Sequence, residues 1–129
     1  MSVLMLMGIS VAVSIITAVV ESYFDAKKNK PIEHILSATV RGLGAVVVVY
    51  FIPGTVLFQV LFTGVVLVVY WIVFDLCYNL FKGNDWGYVG NTAVLDRFAR
   101  KYIGQGFDYL FVKFFLLVVL IFALLFIGL

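Results

Sequence analysis

A chain of 129 residues that is 64% hydrophobic and only 12% charged has too few polar side chains to cover the outside of a soluble domain. Its net charge of +2 comes from Lys and Arg gathered into short stretches, which suits anionic lipid headgroups and gives no support to nucleic-acid binding. The single cysteine, Cys77, excludes an intrachain disulfide and any CxxC metal pair, and its plain reading is a small apolar filler.

The first uncharged run, Ser2 to Val20, is nearly long enough at about 1.5 Å per residue to cross a hydrocarbon core of about 30 Å. No Lys or Arg precedes it and it is longer than a signal core, so it reads as a retained span. A polar stretch from Glu21 to Lys30 follows, and Pro31 then suits the first turn of a second span, with Glu33 placed near its positive end. That span runs to about Ile52. Pro53 and Gly54 make a tight turn into a third uncharged run from Thr55 to Phe74.

The connection after the third span is the longest outside the bilayer. It divides into a Gly/Asn/Trp/Tyr loop from Gly83 to Asn91 and a short helix capped by Asn91 or Thr92. In that helix Val94, Leu95, Phe98 and Tyr102 share one side and Arg97, Arg100 and Lys101 the other, as in a helix lying in the headgroup region. Gly104 and Gly106 allow the turn into a fourth run, Phe107 to Leu129. The expected fold is therefore all-α: a single membrane domain over residues 1–129, with spans at 2–20, 32–52, 55–81 and 107–129 and an interfacial amphipathic helix over 93–103.

Lys27, Lys28, Lys30 and Arg41 lie in or near the first connection, and Lys82, Arg97, Arg100, Lys101 and Lys113 in or near the third. The positive-inside rule places both connections in the cytoplasm, with both termini and the Pro53-Gly54 turn on the other side of a plasma membrane or bacterial inner membrane. All seven acidic residues fall on the cytoplasmic half as well, so polar recognition is expected on that face.

Arg41 is the most conspicuous candidate, because counting back from Pro53 puts it roughly 16 to 18 Å from the outer interface. A charge at that depth needs a partner, a wet cavity or a route for snorkelling. Asp75 is the expected partner, Asn79 shares its helix face four residues on, and His34 stands near the mouth of the resulting polar cluster of Arg41, Asp75, Asn79 and His34. Such a cluster serves as an interhelical clamp or as a ligand, ion or proton site. His34 beside Glu33 is also open to reading as a base, a metal ligand or an interfacial residue. His34, Cys77 and scattered carboxylates are too few for a closed metal site, so no metal or cofactor is expected.

The loop residues Asp85, Trp86, Tyr88 and Thr92 form a second candidate group. No strand precedes them and no Lys-Ser/Thr ending follows, which leaves a compact loop anchored at the interface by its aromatics rather than a nucleotide fingerprint. Gly8 with Ala12, Ser14 with Ala18, and Ala38 with Gly42 have the small-xxx-small spacing of close helix contacts, whereas the fourth run is almost all large side chains, which suits a lipid-facing or loosely packed position and not a pore lining.

Three functions remain open on these observations. A membrane subunit that assembles with copies of itself or with another membrane protein demands nothing unusual. An oligomeric pore or transporter, including a holin-like pore former, would draw its lining from Ser10, Ser14 and Thr17. An inner-leaflet enzyme would use His34, Asp75 and Asp85, but no nucleophile and base constellation is recognisable, and no catalytic residue is assigned.

Overall fold

The computed structural model describes residues 2–28, 44, 47, 49–84, 101–102 and 107–128, among which there is no strand. Three long helices carry the described fold: α1 over Val3–Lys28, α2 over Val56–Lys82 and α3 over Phe107–Gly128. All three are long and apolar enough to cross a membrane. Gly44, Val47, Val49 and Tyr50 are helical as well and lead into the turn before α2.

Each helix end has a local cause. Ser2 caps α1, its hydroxyl accepting from the backbone N–H of Met5 at 3.2 Å. Thr55 does the same for α2, accepting from Phe58 N–H at 3.1 Å with its own backbone extended. Gly83 ends α2 in the left-handed region at φ 75°, and the N–H of Asn84 reaches back to the Asn79 carbonyl at 2.9 Å, a Schellman closure that a residue with a Cβ would strain. Between Tyr50 and α2, the Gln59 amide donates to the carbonyls of Tyr50 and Ile52 at 3.1 and 3.0 Å, so the turn at Pro53 has its exposed acceptors tied down by the helix that follows it.

The first connection begins later than the sequence suggests. Glu21, Ser22, Asp25 and Ala26 belong to α1 rather than to a polar linker, and the helix continues to Lys28. The physical reason is a buried stripe at four-residue spacing, Ser10, Ser14, Ala18, Ser22 and Ala26, which gives the helix a packing face beyond its uncharged run.

Helices α1 and α2 run parallel. Val3, Leu6 and Met7 of α1 pack on the core built by Phe58 and Phe62 of α2. Further along, the Ser14 hydroxyl donates to the Val66 carbonyl at 3.3 Å, and Tyr23 meets Phe81 edge-on at 5.3 Å between ring centroids. Helix α3 runs antiparallel to α2: Tyr109 lies against Trp71, the Leu120 side chain sits over Gly64, and Leu124 joins the core of Phe58 and Phe62. Helix α2 therefore stands in contact with both neighbours. The main core of Val49, Ile52, Phe58, Phe62, Val65, Val66 and Leu124 gathers at the end marked by the Pro53-Gly54 turn, while Lys27 and Lys82 mark the opposite, basic end. In lipid these contacts hold through close van der Waals packing, since apolar side chains gain little by leaving hydrocarbon.

Candidate polar site within the helices

The basic half of the α2 and α3 contact encloses a charge. Lys113 lies two turns inside α3 and is fully buried, and its ammonium donates to Oδ2 of Asp75 on α2. The Tyr109 hydroxyl donates to the same Oδ2 at 2.7 Å. Helical spacing explains the convergence. Tyr109 and Lys113 are four apart on one face of α3, and Trp71 and Asp75 are four apart on one face of α2, so two complementary pairs meet when the helices pack antiparallel.

Aromatic faces complete the enclosure. The Lys113 ammonium is 3.9 Å from the Tyr109 ring centroid and 4.7 Å from that of Trp71, and the two rings meet edge-on at 6.0 Å. An ammonium among a carboxylate and two π faces exchanges its hydration for directional partners, which offsets the cost of taking its charge out of water. Asp75 is placed differently: its side chain is 22% exposed, and among the described residues both donors reach Oδ2 rather than Oδ1.

The level of the site follows from the helices themselves. Asp75 stands seven residues before Lys82 and Lys113 six after Phe107, so each lies about 10 Å from its helix end at 1.5 Å per residue. With α2 about 40 Å long, that is a few ångströms inside a hydrocarbon core of about 30 Å. Asn79, one turn nearer the basic end than Asp75, is buried too, and its carbonyl takes part in the closure of α2.

Of the cluster expected from sequence, the described residues thus bring together Asp75 and Asn79 on one helix, and the cation observed at Asp75 is Lys113. Lys113, counted by sequence near the third connection and within the span 107–129, is buried in α3 with its ammonium over the Tyr109 ring and beside that of Trp71. Helix α3 is accordingly not lipid-facing all round: Tyr109, Lys113 and Leu124 form its inner side. His34, Arg41, Asp85, Trp86, Tyr88, Thr92, Arg97 and Arg100 lie outside the described residues. Lys101 is helical and exposed, with its ammonium 5.2 Å from the ring of Tyr102. Trp71, Tyr109 and Lys113 were not singled out by residue type. The signal available for them was a lone basic residue two turns inside an apolar run, at the same level as a lone acid on the neighbouring run.

No protein-family model, curated protein or solved structure matches this chain.

Proposed function

We propose that this chain is a four-span membrane subunit that works by assembling in the bilayer, with copies of itself or with another membrane protein. The observation that carries the reading is the division of small residues on α1. The stripe of Ser10, Ser14, Ala18, Ser22 and Ala26 is spent inside the protein, whereas Gly8 and Ala12 lie on the exposed side. A Cβ built on Gly8 meets nothing within 4 Å, so another helix backbone has room to approach there.

The fourth crossing is supported by the parallel course of α1 and α2. A chain that leaves α1 at its basic end and enters α2 at the opposite end has to return across the full thickness within residues 29–55, which at helical rise provide about 40 Å. Backbone in lipid must satisfy its own hydrogen bonds, which favours a helical second crossing, and Gly44, Val47, Val49 and Tyr50 are helical while Phe51 and Ile52 already belong to the turn. The interfacial helix over 93–103 and the placement of both termini outside the cytoplasm belong to the same reading. So does a polar cluster extended by Arg41 and His34. Lys27, Lys82 and Lys101 at the basic end suit anionic headgroups of the inner leaflet.

A pore reading has less to draw on. The Ser10 hydroxyl donates to the Leu6 carbonyl at 2.9 Å, Ser14 to Val66 and Thr63 to the Gln59 carbonyl at 2.7 Å, so these polar side chains are engaged within and between helices. The assembly reading is tested by measuring the mass of the full chain in native nanodiscs beside Gly8→Leu and Ala12→Leu. A discrete complex that both substitutions dissociate, with helix content unchanged, is the expected result. A native protein that runs as a monomer with no membrane protein co-purifying overturns it.

A further inference from the structure

We propose that Asp75 is a proton-binding site within the membrane, taking a proton at Oδ1 from water at the basic end and passing its state to α3 through Oδ2. This stands on the site geometry alone and is independent of whether the chain assembles. A carboxylate kept only as a clamp would be as enclosed as its cation, yet Lys113 is fully buried while Asp75 is 22% exposed. Both described donors, the Tyr109 hydroxyl and the Lys113 ammonium, converge on Oδ2. The other oxygen takes no bond from a described residue and sits about two helical turns from Lys82 and the polar connection.

The chemistry is one addition. A proton from water joins Oδ1, no other covalent bond is made or broken, and the charge of the cluster rises by one. Oδ2 then becomes the carbonyl oxygen of a neutral acid. It still accepts from Tyr109, but it no longer cancels the ammonium between the Trp71 and Tyr109 rings. Occupancy of Asp75 therefore changes how strongly α3 is held to α2. The titratable groups of α3 at the site are Tyr109 and Lys113, with Asp108 exposed one residue away; α2 itself adds Tyr70, Cys77, Tyr78 and Lys82 within two turns. Helix α1 contributes Glu21 and Asp25 to the same end of the protein.

The test is infrared spectroscopy of the full chain in nanodiscs, acidified from neutral pH in H2O and in D2O, with emission of Trp71 followed in parallel in a Trp86→Phe background. Native protein is expected to gain a carboxylic-acid band, sensitive to D2O, that Asp75→Asn lacks, and the Trp71 emission should change over the same pH interval. In Lys113→Met, which removes the ammonium from the Trp71 ring, the Trp71 emission should no longer follow the band. The other six carboxyl side chains absorb in both proteins, so a band in Asp75→Asn as large as in the native protein, or a Trp71 emission that still follows the band in Lys113→Met, overturns the proposal. Should either variant fail to fold, Tyr109→Phe keeps the ion pair and decides: a changed pH interval for the Trp71 emission supports the site, and an unchanged one refutes it.

Discussion

The Lys113 ammonium and the Asp75 carboxylate, thirty-eight residues apart in the chain, join two helices, and the cation of the pair is wholly enclosed while the anion keeps an open edge. Removing one member leaves the other charged at membrane depth, so Lys113→Met and Asp75→Leu should each destabilise the protein by about 3–5 kcal/mol. The double variant should recover most of that loss, because two apolar side chains at the contact carry no desolvation penalty. Unfolding in mixed micelles, run as a double-mutant cycle, measures the coupling; additive losses would mean that the pair contributes nothing as a pair.

Tyr109 does two things at once, donating to Asp75 and lending a ring to Lys113. Tyr109→Phe keeps the ring and should cost roughly 1–2 kcal/mol for the lost charge-assisted bond. Tyr109→Leu removes the π face as well and should cost about 1 kcal/mol more. The same unfolding assay separates the two, and equal losses would show that the ring does not hold the ammonium.

Two glycines of similar appearance should respond in opposite ways. A Cβ at Gly54 would fall 2.7 Å from Cδ1 of Phe58, a buried ring stacked on Phe62, so Gly54→Ala should destabilise the turn by about 1–3 kcal/mol. A Cβ at Gly64 would meet Leu120 at 3.5 Å, an ordinary contact, so Gly64→Ala should be close to neutral. Thermal unfolding of the two variants side by side checks the contrast.

On α1 the stripe of small residues sets how closely α2 approaches. Ser14→Ala loses a single bond to the Val66 carbonyl and should cost about 0.6 kcal/mol. Ala18→Leu places a large side chain at a position with no exposure and should cost several times more through overpacking. Cysteine cross-linking between the two helices in a Cys77→Ser background reports whether the contact has opened.

Much of the fold was legible because lipid imposes few choices. Long apolar runs have to be helices in hydrocarbon, and the runs beginning at Ser2, Thr55 and Phe107 correspond to α1, α2 and α3. Their ends were legible where a cap or a glycine marks them, at Thr55 and Gly83. The end of α1 was not, because Glu21 and Asp25 look like linker residues until Ser22 and Ala26 are seen to continue a packed face.

How deep each charged residue lies along its helix follows from the order of residues, since depth is only a count of residues multiplied by a fixed rise. On that count Asp75 and Lys113 stand at matching levels. Which way each side chain points around its helix was decided only by tertiary structure. The helices are apolar on nearly every side, so no amphipathic stripe tells the inner face from the outer, and the choice falls to the fit of particular side chains. Packing alone put Leu120 over Gly64 and Ser14 on Val66, and by doing so it brought Lys113 between Trp71, Tyr109 and Asp75.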